Sequence, residues 1–169
     1  MFFRPDVSVL FVCTANVCRS PMAHALFRHY CEVSGLKRRV RIDSAGTHVG
    51  LKGQRPDPRA CTVLARHGID SSRIKARPIE ARDFQRFDYL LAMDREHLDR
   101  LNKLHDGGLG PRIDLVMKFA GGSPELEVPD PYYGNEAGFV RVFEMLEDSL
   151  QGFTRHLLEE ALAERGTHD

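Results

Sequence analysis

The amino-acid sequence predicts an α/β fold: a single three-layer domain with a four-stranded parallel sheet and helices on both faces. The first observation is that short apolar, β-branched runs alternate with longer amphipathic segments, which is typical of parallel strands joined by helices. The second is that Ser-Pro and Asp-Pro each precede a helical segment, where a capping side chain and a proline favour initiation. These patterns predict strands at 7–12, 40–45, 88–93 and 113–117, and helices at 21–34, 58–67, 80–87, 95–104 and 136–163.

The segment VSVLFVCTANVCRSP, residues 7–21, joins the first strand to the first helix. Its nearly continuous apolar run predicts a strand buried on both faces. Cys13 stands where the strand ends, and Ser20 and Pro21 are expected to be the N-cap and first residue of the helix. Loop amides and the positive end of the helix dipole favour a bound anion. We therefore expect a phosphate-binding loop after strand 1.

Two side chains of this loop indicate chemistry as well as binding. Arg19 has a planar guanidinium group, which matches two phosphate oxygens at once. The positive surroundings of Cys13 favour its thiolate, which is the nucleophilic form of cysteine. A cysteine followed by an arginine six residues later is a weak signal alone, and the alternative is a buried cysteine beside a surface arginine. The strand before it and the helix start after it favour the nucleophile.

Length and composition limit the classes of function. Residues 1–169 are enough for one domain with its own core, with frayed ends expected near 1–5 and 166–169. Lys plus Arg equals Asp plus Glu, 24 each, so no net charge favours nucleic acid or an acidic membrane. No apolar run is long enough for membrane insertion, and a signal-peptide pattern is absent. Four cysteines in this context predict free thiols and a cytoplasmic location.

A metal site is the alternative use of Cys13 and Cys18. Their spacing is wider than that of the usual C-x-x-C zinc knuckle. No second pair of cysteines or histidines in the sequence completes a set of four ligands. We therefore expect no metal and no other cofactor.

Five motifs resemble those of the low-molecular-weight protein tyrosine phosphatases. The loop CTANVCRSP is followed by DSAGT, PDPRA, the MD pair and DPYYG, in the family's order and spacing, over about residues 7–160. The resemblance implies hydrolysis of phosphotyrosine and small aryl phosphate monoesters through a cysteinyl-phosphate intermediate. It also implies a tyrosine-phosphorylated protein as the partner and inhibition by phosphate-like oxyanions.

The resemblance assigns roles to the reacting groups. Cys13 is the nucleophile, Arg19 binds phosphate together with the loop amides, and Asp130 is the general acid and base. For Asp130 the alternative is a turn aspartate before a proline, a common arrangement. The residues implied to contact the substrate are Thr14, Ala15, Asn16, Val17, Cys18, Leu51, Tyr132 and Tyr133.

Three further residues are implied to support the loop. Ser20 donates a hydrogen bond to the Cys13 sulfur. Ser44 hydrogen-bonds Asn16, a residue type that tolerates the left-handed backbone of a tight loop; the alternative is a serine bonded within its own turn. Asp94 braces Arg19 and also caps the helix that follows it.

The sequence departs from the family pattern at four places. Ala15 stands where glycine is usual, which would cost about 1 kcal/mol if that position required a positive φ. Ile74 and His97 replace a histidine and an asparagine, and we expect weaker support around Asp94. The segment 48–55, one wall of the cleft, has no aromatic residue, and Leu51 and Val49 are its sizeable apolar side chains.

Three rival functions were weighed against phosphotyrosine hydrolysis. Relatives that reduce arsenate use further cysteines near 83–92, where this sequence has none. Relatives that dephosphorylate protein arginine have a threonine beside the second cysteine, where Val17 stands here. The third rival is a non-enzymatic phosphate-binding module or thiol sensor, which gives Asp130 and the neighbouring tyrosines no role.

The loop also predicts a redox-sensitive cysteine. Peroxide attacks a thiolate such as that of Cys13 first, and Cys18 is close enough in sequence to capture the product as a disulfide. The alternative is that Cys18 only packs beneath the loop, since buried cysteine is often a small hydrophobic residue.

Overall fold

The computed structural model describes the backbone of residues 6–166 and the side chains of residues 6–160. The expected frayed ends at 1–5 and 167–169 lie outside the described residues, and Gly166 is the last residue of the C-terminal helix. The elements in order are β1 (Val7–Cys13), α1 (Arg19–Val33), β2 (Val40–Gly46), α2 (Pro58–Arg66), α3 (Asp83–Arg86), β3 (Tyr89–Ala92), α4 (Arg95–Leu104), β4 (Arg112–Leu115), a 3₁₀ helix (Val116–Phe119) and α5 (Glu136–Gly166).

The four strands form one parallel sheet in the order β2-β1-β3-β4. β1 is central because it pairs with β2 along its whole length and with β3 at residues 9–12. Strands in such a position have both faces covered, which agrees with the nearly continuous apolar run of β1. The predicted fold class is confirmed.

Alternate residues of β1 face two different hydrophobic cores. Val9 and Phe11 belong to the larger core, which includes side chains of α1, α2 and α5. Leu10 and Val12 belong to the smaller core, which includes side chains of α3 and α4. The period of two along a strand thus divides the helices into two layers, one on each face of the sheet.

The start of α1 differs from the prediction. The helix begins at Arg19, and Cys18 rather than Ser20 is the N-cap residue, without a side-chain capping bond. The physical reason is that the Ser20 hydroxyl is buried and hydrogen-bonded to side chains of the loop. Because no side chain caps the helix, its first amides stay directed at the loop.

The C-terminal helix packs closely on the segment after β4. A side chain at Gly152 would place its Cβ atom 1.9 Å from the carbonyl oxygen of Phe119 in the 3₁₀ helix. One turn earlier, the Ser149 hydroxyl donates to the carbonyl oxygen of Val116. A glycine is therefore required here for close approach. No helix within residues 6–166 is both long enough and apolar enough to cross a membrane.

Candidate active site

The functional side chains follow the carboxyl ends of three neighbouring strands. Cys13 is the last residue of β1 and pairs with Gly46 at the end of β2, and Asp94 follows the end of β3. Parallel strands end at the same edge of a sheet, and ligands of such folds bind beyond that edge. The loop from Thr14 to Cys18 lies over this edge and leads into α1.

The Cys13 sulfur lies against the hydroxyl group of Ser20. Cys13 is buried, and its Sγ atom is 2.9 Å from Ser20 Oγ. Ser20 Oγ accepts a hydrogen bond from Asn16 Nδ2 at 2.7 Å. The Ser20 hydroxyl also lies 3.5 Å from the Ala45 carbonyl oxygen. The contact between Ser20 and the Cys13 sulfur that the resemblance implies is present.

Asn16 fixes the shape of the loop. Its backbone has a φ of 58°, the left-handed conformation that asparagine tolerates better than most residues. Its side chain bonds on both sides, donating to Ser20 and accepting from the backbone N–H of Arg77 at 3.1 Å. Since Asn16 alone among the loop's non-glycine residues has a positive φ, the strain considered for Ala15 does not arise.

The predicted hydrogen bond from Ser44 to Asn16 is wrong. Ser44 Oγ instead lies 3.0 Å from Nδ1 of His24, on α1 one turn after Ser20. Burial lowers the pKa of His24 to about 4. Ser44 thus joins β2 to α1 beneath the loop, and His24 is a supporting residue that the sequence reasoning missed. His24 lies four residues after Ser20, and this spacing places both side chains on the same face of α1.

The loop amides are free to bind an anion. Within the described part of the chain, none of the backbone N–H groups of residues 14–18 donates to another protein atom. They lie next to the positive end of α1, which begins at Arg19. Hydrogen-bond donors that lack protein acceptors at a helix N-terminus are suited to phosphate oxygens.

Arg19 is a buried cation with three polar partners. Its residue exposure is 3%, yet Nη1 donates to Asp94 Oδ2 at 2.9 Å and to the Val128 carbonyl oxygen at 3.0 Å. Its Nη2 lies 3.4 Å from Thr14 Oγ1. The expected brace from Asp94 is present, and Asp94 also accepts from the backbone of His97 as the cap of α4. These contacts fix the guanidinium plane beneath the loop.

His97 contacts two members of this cluster, and the weaker support expected around Asp94 stays a prediction. The ring is buried, with Nε2 2.8 Å from Thr14 Oγ1 and Nδ1 3.0 Å from Asp94 Oδ1, although Nδ1 is not aligned for a hydrogen bond. Burial lowers the pKa of His97 to about 4, against the opposing charge of Asp94. The contacts therefore close into a ring, which runs through Arg19, Asp94, His97 and Thr14. Ile74, in contrast, is buried in the apolar core.

The segment after β2 forms one side of the cleft. Thr47 and His48 donate their backbone N–H groups to the carbonyl oxygens of Cys13 and Thr14, both at 2.9 Å. A Cβ atom at Gly46 would lie 2.5 Å from the Thr14 oxygen, so glycine is needed for this approach. Leu51 is 66% exposed at the tip of the segment. The predicted non-aromatic wall thus adjoins the loop, with an exposed leucine available for contact.

Asp130 lies near the guanidinium group of Arg19. Its Oδ2 atom is 3.9 Å from Nη2 of Arg19, and its side chain is 46% exposed. Its Oδ1 atom accepts from the backbone N–H of Tyr132 at 3.1 Å, so Asp130 also has the role of a turn aspartate. Tyr132 and Tyr133 pack edge to face with their ring centroids 5.0 Å apart. Tyr133 is 91% exposed, which leaves its ring available to a ligand.

The arrangement can bind a phosphate monoester and attack it. Free amides and Arg19 match its oxygens, and the Cys13 sulfur lies at the base of the loop. Within residues 6–160, no three His, Cys, Asp or Glu side chains are grouped so that they could hold a metal ion. The class that this fold and site fit is a phosphatase with a phosphate-binding loop after the first strand of a parallel α/β sheet.

Comparisons with known proteins identify the family. The profile described as "Low molecular weight phosphotyrosine protein phosphatase" matches residues 8–164. A Schizosaccharomyces pombe protein of the same description is 40% identical over 153 residues, which cover 90% of this chain and 97% of the relative. A crystal structure of protein tyrosine phosphatase from Entamoeba histolytica with Hepes in the active site has a TM-score of 0.86 and 34% identity, covering 92% and 99%. The chain belongs to the low molecular weight phosphotyrosine protein phosphatase family and is an enzyme of that class.

One structural relative has a different description. The crystal structure of a Drosophila arginine phosphatase has a TM-score of 0.83 and 31% identity, and the match covers 88% of this chain and 96% of that chain. The fold alone therefore does not distinguish these two substrates.

The burial of His97 generates a pH prediction. Its pKa of about 4 lies below the unfolded value of 6.5, so between these values the unfolded chain binds a proton that the folded chain does not. Stability should therefore fall as the pH falls from about 6.5 to about 4. His97→Asn, which does not titrate, should lose about 1–3 kcal/mol less over this window. Urea unfolding at a series of pH values measures the difference.

A matched control is His29→Asn, which removes a half-buried histidine of α1. The control should follow the wild-type curve. If His97→Asn and wild type lose stability in parallel, His97 does not titrate as described.

Proposed function

We propose that one phosphatase domain spanning residues 1–169 hydrolyses phosphotyrosine through a covalent intermediate on Cys13. The observation that supports this most is the Cys13 sulfur at a strand end, hydrogen-bonded by Ser20 and adjacent to free loop amides and buried Arg19. The thiolate forms a bond to phosphorus as the bond to the phenolic oxygen breaks. Arg19 and the amides bind the equatorial oxygens, whose charge they stabilise most in the transition state.

Asp130 is the proposed proton donor and acceptor. In the first step its carboxyl group gives a proton to the departing phenolic oxygen. In the second step its carboxylate takes a proton from water as water attacks phosphorus and the Cys13 thiolate leaves. The Ser20 hydroxyl stabilises the departing sulfur. The position of Asp130 on the rim, 3.9 Å from Arg19 and half-exposed, supports a group that meets both substrate and water.

The proposed substrate is a tyrosine-phosphorylated protein. The exposed rings of Tyr132 and Tyr133 can pack against an aromatic leaving group, and Leu51 can contact it from the other wall. Loop amides that bind phosphate also bind other tetrahedral oxyanions, so phosphate-like anions should inhibit. Hepes, which occupies the active site of the Entamoeba relative, is a sulfonic acid.

Phosphoarginine is the second candidate substrate, because a structural relative is an arginine phosphatase. Val17 supplies no hydroxyl group at the position where arginine phosphatases have threonine, and this favours phosphotyrosine. Initial rates on two peptides that differ only in phosphotyrosine or phosphoarginine separate the candidates. A faster rate on phosphoarginine would reverse the assignment.

We also propose that Cys18 protects Cys13 from irreversible oxidation. Burial, followed by the Asp57 carboxylate and the nearby Cys13, raises the pKa of the Cys18 thiol to about 12. Peroxide would oxidise the Cys13 thiolate to a sulfenic acid and release hydroxide; the Cys18 thiol would then form the disulfide as water leaves. All four cysteines are free thiols, which is consistent with a reducing compartment, and we propose the cytoplasm.

Replacing the reacting groups tests the covalent mechanism. Cys13→Ser should reduce kcat by at least about 10³-fold while keeping oxyanion binding, because the hydroxyl is a poor nucleophile and the amides remain. Arg19→Lys should lose about 10²-fold or more, since a point charge cannot replace the guanidinium fork. Single-turnover rates and vanadate titrations measure both. Activity of Cys13→Ser within tenfold of wild type would exclude Cys13 as the nucleophile.

A series of aryl phosphates tests Asp130. Asp130→Ala should slow substrates with basic leaving groups much more than those with acidic ones, because a general acid matters most for a basic oxygen. The slope of kcat/KM against leaving-group pKa is the measurement. Equal losses across the series would leave Asp130 with its turn role alone.

Peroxide treatment tests the role of Cys18. Wild type should form a Cys13–Cys18 disulfide, seen as a loss of two mass units, and recover activity with dithiothreitol. Cys18→Ser should recover less, because no thiol captures the sulfenic acid. Equal recovery without a disulfide in wild type would reduce Cys18 to a packing residue.

A further inference from the structure

The arginine of the PDPRA motif has four hydrogen bonds to two parts of the cleft. Arg59 Nε and Nη2 donate to the two carboxylate oxygens of Asp57 at 3.0 and 2.9 Å. Arg59 Nη2 also donates to the carbonyl oxygen of Tyr132 at 3.0 Å, and Nη1 donates to that of Gly134 at 3.1 Å. Arg59 lies in the first turn of α2, whereas Tyr132 and Gly134 belong to the segment that contains Asp130. One guanidinium group therefore joins two separate elements.

Aromatic packing fixes the plane of this guanidinium group. Its central carbon lies 4.4 Å from the ring centroid of Phe139 and 5.6 Å from that of Tyr132. Stacking on aromatic faces and a bidentate carboxylate bond both require the planar fork of arginine. Arg59 is thus oriented by Asp57 and Phe139 independently of the two carbonyl groups that it reaches.

Asp57 connects this arrangement to the phosphate-binding loop. Its backbone N–H donates to the carbonyl oxygen of Val17 at 2.7 Å, and its side chain caps α2 through the backbone of Arg59 at 2.8 Å. A continuous path of hydrogen bonds therefore runs from Val17 through Asp57 and Arg59 to Tyr132 and Gly134. The phosphate-binding loop is thereby connected to the segment that contains Asp130.

The segment 130–134 has two further points of attachment: Asp130 lies 3.9 Å from Arg19 Nη2, and Pro131 is buried. Its internal bonds are Tyr132 N–H to Asp130 and Gly134 N–H to Pro131. Within the described residues, the hydrogen bonds that join 130–134 to another element are those from Arg59. A largely exposed segment with few attachments has a low local stability. The hydrogen bonds that fix the backbone beyond Pro131 to another element come from Arg59, so the position of Asp130 depends in part on Arg59.

We propose that Arg59 is a positioning residue that holds the segment 130–134 so that Asp130 reaches the leaving oxygen. The proposal rests on the general-acid role proposed for Asp130. Proton transfer requires the carboxyl group within about 2.6–3.2 Å of that oxygen. Without Arg59 the segment also adopts positions in which the Asp130 carboxyl group is too far from the leaving oxygen. Asp130 then protonates the leaving group in a smaller fraction of the bound complexes.

The test compares leaving-group dependence in wild type, Arg59→Met, Arg59→Lys, Asp130→Ala and the double variant Arg59→Met/Asp130→Ala. Arg59→Met should steepen the slope of kcat/KM against leaving-group pKa, with about tenfold more loss for phenyl phosphate than for p-nitrophenyl phosphate. Arg59→Lys keeps a cation near Phe139 but cannot bridge two carbonyls, so its slope should be intermediate. In the Asp130→Ala background, Arg59→Met should have little further effect on the slope.

Arg66→Met is the matched control, because Arg66 is on the same helix and makes an exposed ion pair with Glu136. It should keep the wild-type slope. A wild-type slope for Arg59→Met, beside a steep slope for Asp130→Ala, would overturn this proposal alone. A wild-type slope for Asp130→Ala would overturn the acid assignment and this proposal together. If thermal melting shows that Arg59→Met is unfolded, the slope of Arg59→Lys decides: an unchanged slope contradicts the proposal.

Discussion

A buried positive charge at Arg19 constrains the surrounding structure. Removing one partner from a buried ion pair costs about 3–5 kcal/mol, because the remaining charge is left without compensation. Arg19 therefore requires Asp94 after β3, the Val128 carbonyl oxygen and the Thr14 hydroxyl in fixed places. These partners come from three parts of the chain that only the folded sheet brings together. The order of the strands, with β1 between β2 and β3, satisfies this requirement.

Most of the fold and the central residues of the site could be predicted from the sequence. The apolar run before Cys13 indicates a central strand, and strand ends in a parallel sheet meet at one edge, which places Cys13 and Asp94 together. The partner of Ser44 could not be predicted in this way. His24 reaches it across the packing of α1 on β2, and side-chain packing between elements leaves no periodic pattern in the sequence. Similarly, the sequence predicts Ser20 as a helix N-cap, but its buried hydroxyl group bonds Cys13 and Asn16 of the loop instead.

The substitution at His97 shows why single departures from a family pattern are hard to interpret in isolation. A charged histidine beside Arg19 would repel the guanidinium group. A neutral histidine that replaces asparagine poorly would lose hydrogen bonds that hold Asp94. In the structure its ring is buried and its low pKa keeps it neutral near pH 7, so it bonds Thr14 without adding a charge. Thr14 and His97 act as a pair, and the effect of either residue depends on the other.

The close contact at Gly152 sets the axial position of the longest helix. α5 begins at Glu136, immediately after the segment that contains Asp130, and Gly152 lies about 24 Å further along at 1.5 Å per residue. A helix is stiff along its axis, so a displacement at Gly152 also displaces the first turn of α5. The contact between Gly152 and Phe119 therefore limits how far that first turn can move relative to the segment that contains Asp130. A side chain larger than hydrogen at Gly152 would push α5 away from Phe119, and the first turn of the helix would shift with it.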